Sequence, residues 1–309
     1  MDKVAIMKEK IKIVSSGLIF LIFFPYVITV FLQGNSVENK NFSEFATETI
    51  RVQKEEEDNL REKLVSILAK EININSQKEA IKAQAVIVRQ NYCYALKQGI
   101  EPEEGLSIQE MMKIFGEKNF SIRYEELATC LDETSKVQAT FQGNPVMLPF
   151  HAVSAGKTRS AREINEKTVF PYLVSVDSTF DIPSENYLKV IYFEKTEFLA
   201  QLEQIFIGVD FSDEDILTQV TIDGRDSASY VTSVSAGGVT VSGEDFRQKL
   251  GLNSACFSLS EVDGKIRVVT EGLGHGFGLS EWGANELAKQ GKGYIEILKY
   301  YFPNIEITE

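Results

Sequence analysis

Histidine, cysteine and tryptophan are scarce in this sequence, which narrows the chemistry available to it. There are two histidines, His151 and His275, one tryptophan, Trp282, and three cysteines. No two cysteines have C-x-x-C spacing, so a strong zinc-binding pattern is absent, and an odd number cannot complete a disulfide framework. We therefore predict no metal and no cofactor; a zinc site assembled from distant residues is the alternative.

Basic residues are also outnumbered by acidic ones. The 309 residues include 32 lysines and arginines against 45 aspartates and glutamates, which gives a net charge of −13. Nucleic-acid binding requires clustered positive charge, so the composition argues against a nucleic-acid partner. A hydrophobic content of 43% is ordinary for a globular protein and is enough for a substantial core.

The N-terminus contains an uncharged apolar run, 13–32, which follows four lysines. A run of this length can cross about 30 Å of hydrocarbon at about 1.5 Å per residue. Because lysines stay in the cytoplasm, we predict a single-pass protein of the cell membrane. It would have a cytoplasmic segment 1–12, an anchor 13–32, a tether 33–53 and an extracytoplasmic domain 54–309. A cleaved signal peptide, which usually has a shorter apolar region, and a buried core helix are the alternatives.

Two helices are predicted at the start of the extracytoplasmic domain. The second helix runs to Gly99, and Ser76 with Glu79 three residues later forms a capping-box pattern at its start. The first helix has an apolar stripe at helical spacing, formed by Leu60, Leu64, Ile67 and Leu68.

The middle of the chain predicts strands, and the end predicts helices again. Turn signals between β-rich runs occur at Gly143-Asn144, Asp223-Gly224 and Asp263-Gly264. Segments 280–290 and 294–302 are helix-like. The predicted fold class is α+β: a mixed β-rich body with several helices, plus one N-terminal transmembrane helix.

Glu71 is the first candidate for chemistry. It ends the first helix and is flanked by Ile72 and Ile74. Apolar surroundings and the negative end of the helix dipole would raise the pKa of its carboxyl, as a general acid at neutral pH requires. A solvated helix end is the alternative, whereas Glu79 is explained by the capping box.

Two polar loops supply further candidates. His151 follows an apolar run and precedes Ser154 and Thr158, in a small polar loop of the kind that often carries binding residues; a structural histidine is the alternative. The stretch EGLGHGFGLSEW, 271–282, surrounds His275 with four glycines, which allow close backbone approach to a ligand. Ser280 is a plausible N-cap for a helix that begins at Glu281. Trp282 would either stack on a sugar or fill the core.

Three motifs resemble, in the same order, those of the SpoIID/LytB-type family. Segment 70–96, KEININSQKEAIKAQAVIVRQNYCYAL, resembles the family's N-terminal signature, in which a Glu-Met-Pro step precedes EALKAQAVAARTYAL. Segment 150–158, FHAVSAGKT, is similar to FHSTSGGKT. Segments 243–260 and 272–307 resemble the C-terminal signature. The resemblance covers nearly all of the chain beyond about residue 60.

The resemblance implies a membrane-anchored lytic transglycosylase of spore-forming bacteria. Such an enzyme cuts MurNAc–GlcNAc bonds of peptidoglycan, preferably after an amidase has removed the stem peptides, during engulfment of the forespore. The implied partners are peptidoglycan glycan strands, a membrane-bound amidase and other engulfment membrane proteins. The family's catalytic glutamate lies eight residues before the glutamate of EALKAQA, which corresponds here to Glu71. Its carboxyl would act as general acid and then as base.

The other candidates are expected to hydrogen-bond the glycan or Glu71. They are His151, Ser154, Thr158, His275, Ser280 and Glu281. The chain departs from the family pattern, because Met-Pro is missing after Glu71 and Glu281 stands where the family typically has Gln. A second carboxylate near Glu71 would raise its pKa further. A non-catalytic peptidoglycan-binding scaffold or amidase enhancer is the alternative function.

Overall fold

Helices form the first part of the described chain. The computed structural model describes residues 57–164 and 170–308. Its first helices are α1 (57–71), α2 (Lys78–Gln98), α3 (Ile108–Phe115) and α4 (Phe120–Glu133). Leu64, Ile67 and Leu68 of α1 are buried in a core that these helices share, as the predicted stripe requires, whereas Leu60 is exposed.

Short strands and further helices follow. The strands are β1 (Gln138–Phe141), β2 (Asn144–Pro145), β3 (Phe150–His151), β4 (Leu188–Glu194), β5 (Thr221–Arg225), β6 (Val231–Ala236), β7 (Val239–Ser242), β8 (Phe257–Val262), β9 (Lys265–Glu271), β10 (Leu279–Ser280) and β11 (Glu306–Thr308). The remaining helices are α5 (Ala161–Ile164), α6 (Lys195–Ile205), α7 (Gly243–Lys249), α8 (Glu281–Lys289) and α9 (Tyr294–Tyr301). Two 3-10 turns, Thr179–Asp181 and Ile216–Gln219, separate some of them.

The strands form four small sheets. Three are antiparallel, with the orders β11-β1-β2, β4-β9-β8 and β5-β6-β7. The fourth is the parallel pair β10-β3, which joins the glycine-rich stretch to the strand that contains His151. The α+β class is therefore confirmed for the body of the protein.

Residues Leu60–Glu309 form one compact unit. Across 57–164 and 170–308, no helix has both the length and the apolar character needed to cross a bilayer. The predicted anchor 13–32 and tether 33–53 lie outside the described residues, so they stay predictions, as do the domain boundaries.

Helix α2 belongs to two cores and so connects the two ends of the chain. One face, with Ile81, Ala85 and Val88, packs with α1 and α4. A second face packs with β1, α8 and α9 through Ala83 and Ile87. Because α1 precedes α2 while α8 lies about 200 residues later, this shared helix brings together segments that are distant in sequence.

The capping box predicted at Ser76 and Glu79 is wrong. Gln77 is the N-cap of α2, and it makes no side-chain capping hydrogen bond. Glu79 Oε2 instead accepts a hydrogen bond of 2.9 Å from the backbone N–H of Tyr294, the first residue of α9. A tertiary partner has replaced the local one, because the free N–H groups at the start of α9 also require acceptors.

One predicted hairpin turn is confirmed and one is wrong. Asp263 and Gly264 join β8 to β9, with φ of 50° and 76°, as a two-residue hairpin turn requires. Asp223 and Gly224 lie inside β5, where the pairing with β6 shifts register around Gly224. This glycine marks a β-bulge, which a sequence pattern does not distinguish from a turn.

The turn between β1 and β2 is displaced by one residue from its predicted place. Gln142 and Gly143 occupy it, with φ of 52° and 75°, and Asn144 already pairs with Phe141.

Candidate active site

Glu71 and Glu281 come from distant parts of the chain and lie near each other. Glu71 is the last residue of α1, and Glu281 is the first residue of α8. One turn after Glu281, Asn285 Oδ1 accepts a hydrogen bond of 2.7 Å from the backbone N–H of Gln77. Residues four apart share a helix face, so the face that presents Glu281 is held against the turn that follows Glu71.

Glu71 is not a solvated helix end. Its side chain is 19% exposed. Burial raises the pKa of its carboxyl, and the neighbouring charge of Glu103 raises this pKa further. Lys70, whose Nζ lies 3.5 Å from Glu71 Oε1 and 3.9 Å from Glu103 Oε2, acts in the opposite direction. The net shift is upward, in the direction that the sequence predicts.

Glu281 has the larger shift of the two carboxyls. Burial, and then the charge of Glu71, raise its pKa to about 8. In the described part of the chain, no side-chain hydrogen bond or ion pair stabilises its ionised form. A pKa of about 8 favours the protonated form of Glu281 at neutral pH, while Lys70 beside Glu71 favours the ionised form of that carboxyl. A carboxylic acid next to a carboxylate is an arrangement that can both give and take a proton.

Ser280 and Trp282 fix the start of α8. Ser280 Oγ accepts a hydrogen bond of 3.2 Å from the backbone N–H of Gly283, which confirms the predicted N-cap. The indole Nε1 of Trp282 donates to the carbonyl of Phe180 at 3.1 Å, and its backbone N–H donates to the carbonyl of Ala152 at 3.1 Å. The backbone at Glu281, between these two anchored residues, is thus fixed.

The two histidines, His151 on β3 and His275 on the glycine-rich stretch, form a neutral pair. His151 Nδ1 donates to the carbonyl of Phe277 at 3.0 Å, and His275 Nδ1 accepts from the N–H of Phe277 at 3.1 Å. Their ring centroids are 5.8 Å apart. Burial lowers both pKa values, that of His151 to about 3. These hydrogen bonds fix both rings to the backbone of the glycine-rich stretch at Phe277.

Three predicted binding hydroxyls are fully buried. Ser154, Thr158 and Ser280 have no exposed surface. Ser154 Oγ accepts from the N–H of Gly156 at 3.2 Å, and Thr158 Oγ1 accepts from the N–H of Val176 at 2.9 Å. Ser154 and Ser280 also hydrogen-bond the Asp181 carboxyl through their side chains. All these partners belong to the protein itself, so the three hydroxyls position the site and do not line its surface.

Asp181 is a buried carboxylate that the sequence analysis missed. It is fully buried, and its Oδ2 accepts from the N–H of Ser154 at 2.8 Å and from Ser178 Oγ at 3.1 Å. Ser178 Oγ in turn hydrogen-bonds the Tyr301 hydroxyl at 2.9 Å. This polar cluster lies against Gly283, in the first turn of α8, where a Cβ would come within 3.0 Å of Asp181 Oδ1. It therefore supports the residues around Glu281 from inside the protein.

The glycine-rich stretch packs its backbone against the strand that contains His151. Gly274 and Gly278 have φ of 112° and 70°, which L-residues with side chains rarely adopt. A Cβ would lie 2.8 Å from His151 Cβ at the first position and 1.9 Å from the Pro149 carbonyl oxygen at the second. The glycines therefore serve this close backbone packing.

Arg159 and Asp226 form a buried ion pair under the same stretch, and both were missed. Arg159 Nε lies 2.6 Å from Asp226 Oδ2, and their side chains are 4% and 1% exposed. The guanidinium lies 4.8 Å from the ring centroids of both Tyr230 and Phe277, and the Arg159 backbone N–H donates to the carbonyl of Gly276. The partners are 67 residues apart in sequence, so no local pattern could have joined them.

The described residues do not assemble a metal site. Across 57–164 and 170–308, no group of three or more His, Cys, Asp or Glu side chains could hold a metal ion. Cys93 is exposed, whereas Cys130 and Cys256 are buried, and all three are free thiols. The prediction that the protein has no metal or cofactor stays a prediction.

Replacing Glu281 by glutamine is expected to raise the melting temperature more at pH 8 than at pH 5. The folded-state pKa of about 8 is above the ordinary value of 4.5, so the unfolded chain releases this proton more readily. The contribution of Glu281 to stability is thus complete below pH 4.5 and is lost as the pH rises through 8. Glutamine cannot ionise and avoids this loss.

Thermal melts of the parent and Glu281→Gln at both pH values would check this. Glu286→Gln is the matched control, because Glu286 lies on the same helix and pairs with Lys289 at 2.6 Å. Equal shifts for Glu281→Gln at pH 5 and pH 8 would contradict the assigned protonation.

The sequence is similar to those of known proteins over most of the chain. No protein-family model matches it. It is 29% identical over 263 residues to stage II sporulation protein D of Bacillus amyloliquefaciens, and equally to that of Bacillus subtilis (strain 168). Each match covers 81% of this chain and 74% of the relative. A third match, 30% identical over 88 residues, covers 28% of this chain and 12% of an amidase enhancer of Bacillus subtilis.

Proposed function

Since these similarities support a SpoIID-type family and a sporulation-related cell-wall function for the chain, we propose that it is a lytic transglycosylase of peptidoglycan. The observation that carries the proposal is the pair of carboxyls, Glu71 and Glu281, both of which have pKa values raised by burial, with the charge of Glu71 also acting on Glu281. Cleaving a glycosidic bond requires a proton donor at the leaving oxygen and an acceptor for the attacking hydroxyl. Both are available in this pair.

The proposed reaction cuts the MurNAc–GlcNAc bond without water. A carboxyl gives its proton to the bridging oxygen as the bond to the muramyl C1 breaks. An oxocarbenium-like transition state develops, and the muramyl C6 hydroxyl attacks C1. A carboxylate takes the hydroxyl proton, and a 1,6-anhydro end results. In the form that the family resemblance implies, Glu71 performs both proton transfers, first as acid, which its raised pKa favours, and then as base.

The surroundings suit a glycan without stem peptides. Such a strand carries mainly lactyl carboxylates, so its recognition depends on hydrogen bonds and stacking rather than on long-range attraction. His151 and His275 are neutral, and Trp282 is half-buried beside Glu281 with its indole N–H already bound to protein. We propose that Trp282 offers a sugar-stacking face and that the histidines and buried hydroxyls hold the loops that frame it.

The proposed setting is the outer face of the cell membrane of a sporulating bacterium. The apolar run 13–32 after four lysines supports an anchor with a cytoplasmic N-terminus. The partial match to an amidase enhancer supports a working link with a cell-wall amidase. We propose that such an amidase removes the stem peptides before this protein cuts the strand, alongside other engulfment membrane proteins.

Product analysis tests the function. The purified full-length chain would be incubated with amidase-treated peptidoglycan, and the products would be identified by mass spectrometry. We expect anhydro-muramyl ends. Reducing ends would instead show a hydrolase in which water attacks C1.

The match to the amidase enhancer also favours a second candidate, a non-catalytic scaffold that binds peptidoglycan and recruits or stimulates an amidase. The same incubation discriminates the two, because a scaffold would bind the glycan and leave it intact. Faster stem-peptide release by an added amidase, without any glycan cleavage, would establish this alternative.

A further inference from the structure

We propose that Glu281 is the general acid of this site and that Glu71 acts only as its base. The inference rests on the proposed function and deepens it, because it divides the two proton transfers between two residues. It follows from where the fold places the two residues and from which charged groups lie beside each of them.

The position of Glu281 is fixed more firmly than a surface glutamate would be. Its neighbours Ser280 and Trp282 are anchored by the cap to Gly283 and by the bonds to Ala152 and Phe180. One turn further, Asn285 is bound to Gln77. A catalytic side chain on a rigid helix start meets the requirement that an acid be preorganised at the bond it protonates.

The charges around the pair separate the two roles. Lys70 lies 3.5 Å from Glu71 and favours its ionised form. Glu281 has no such cation: in the described part of the chain its carboxyl makes no ion pair, and the charged group that acts on it is Glu71. A proton shared by two neighbouring carboxyls settles on the one without a counter-charge, so Glu281 is the acid and Glu71 the carboxylate.

The other titratable groups on the elements packed against α8 have partners of their own or face solvent. On α2, Lys82 pairs with Glu79 at 2.9 Å and with Glu133 at 2.8 Å, and Lys78 also pairs with Glu133. On α8 and α9 the pairs are Glu286 with Lys289, Glu296 with Lys292, Tyr301 with Ser178 and Tyr300 with Asp177, and Lys299 is exposed. Elsewhere, Asp181 binds Ser154 and His151 binds Phe277. None of these partners supplies a counter-charge to Glu281.

Bonds and protons balance in a mechanism with Glu281 as the acid and Glu71 as the base. The Glu281 proton moves to the bridging oxygen, the bond between that oxygen and the muramyl C1 breaks, and GlcNAc leaves with a free hydroxyl. The muramyl O6 forms a new bond to C1, and its proton moves to the Glu71 carboxylate. Glu281 is now ionised and Glu71 protonated. Proton transfer from Glu71 back to Glu281 restores the resting pair, so no proton is consumed.

A comparison of kcat/KM on two substrates with different leaving groups distinguishes a general acid from a residue with a purely structural role. The full-length parent, Glu281→Gln, Glu71→Gln and the control Glu286→Gln would be assayed on amidase-treated glycan and on the 4-nitrophenyl glycoside of GlcNAc-MurNAc. Nitrophenolate departs without a proton, so it bypasses the acid but still needs a base for the C6 hydroxyl. For Glu281→Gln we expect kcat/KM to fall about 100-fold or more on glycan but less than about 10-fold on the nitrophenyl substrate. Glu71→Gln should lose activity on both, and Glu286→Gln on neither.

The pH profile gives a second readout. In the parent, kcat/KM on glycan should fall as the pH rises through about 8, where Glu281 ionises, and this alkaline limb should be absent for the nitrophenyl substrate. Equal losses of Glu281→Gln activity on both substrates, or glycan cleavage within a few-fold of the parent, would overturn the inference. Absence of anhydro products from the parent would instead overturn the proposed function itself.

Discussion

Replacement of Glu71 by glutamine is expected to lower kcat/KM on amidase-treated glycan by about 1,000-fold or more, within the range of roughly 10² to 10⁴ for a lost acid–base group. Glutamine has nearly the same shape as glutamate but cannot accept the C6 hydroxyl proton. The half-buried site and the bond between Gln77 and Asn285 do not depend on the Glu71 charge, so the fold should persist. Release of anhydro-muramyl ends, measured by mass spectrometry over time, checks this.

Glu79→Gln is the matched control for this experiment. Glu79 lies eight residues after Glu71, in the same motif, but its carboxylate caps α9 through Tyr294 and pairs with Lys82. We expect its activity to be near that of the parent, with a stability loss of about 1 kcal/mol for the weakened cap. Retained cleavage by Glu71→Gln would show that another group takes the hydroxyl proton.

Replacement of Arg159 by methionine is expected to lower the free energy of unfolding by about 3–5 kcal/mol, because it leaves Asp226 as an uncompensated buried charge. Asp226 is 1% exposed on its side chain and cannot recover hydration in place of the lost guanidinium. The change also removes the guanidinium that lies 4.8 Å from the ring centroids of both Tyr230 and Phe277. Urea-induced unfolding monitored by circular dichroism gives this free energy.

Two comparisons make the test specific. Arg61→Met breaks the Arg61–Asp132 pair, which has a 2.9 Å contact but side chains 34% and 57% exposed, and should cost no more than about 1 kcal/mol. The double variant Arg159→Met with Asp226→Asn removes the buried charge and should recover part of the loss. A loss for Arg159→Met no larger than that for Arg61→Met would contradict the importance assigned to the buried pair.

Local elements were largely predictable because their signals lie within a few residues. The spacing of Leu64, Ile67 and Leu68 predicted the buried face of α1. The turn between β8 and β9 was predicted from Asp263 and Gly264 alone. Ser280 caps α8 through Gly283, three residues later. The predictions that failed were those in which a distant partner competed with the local one, as at Glu79, or in which a glycine signal had two structural meanings, as at Gly224.

The candidate site also contains some residues that the sequence indicated and others that only the structure revealed. The place of Glu71 at a helix end and in the family motif predicted a carboxyl with a raised pKa. The replacement of the family's usual Gln by Glu281 predicted a second carboxylate. The buried roles of Ser154 and Thr158, and the supporting Asp181, Arg159 and Asp226, depend on contacts across the fold. No spacing rule indicates whether a hydroxyl faces solvent or a buried backbone group.

The sequence by itself determined the α+β body, the acidic character that argues against nucleic acid, the family resemblance and the choice of Glu71. Only the tertiary structure decided that α2 brings the end of α1 to the start of α8, so that the charge of Glu71 helps to raise the pKa of Glu281. The physical reason is that helix and turn formation depend on neighbours along the chain. The pKa of a carboxyl depends instead on the burial and charges around it in space, and these come from residues far away in sequence.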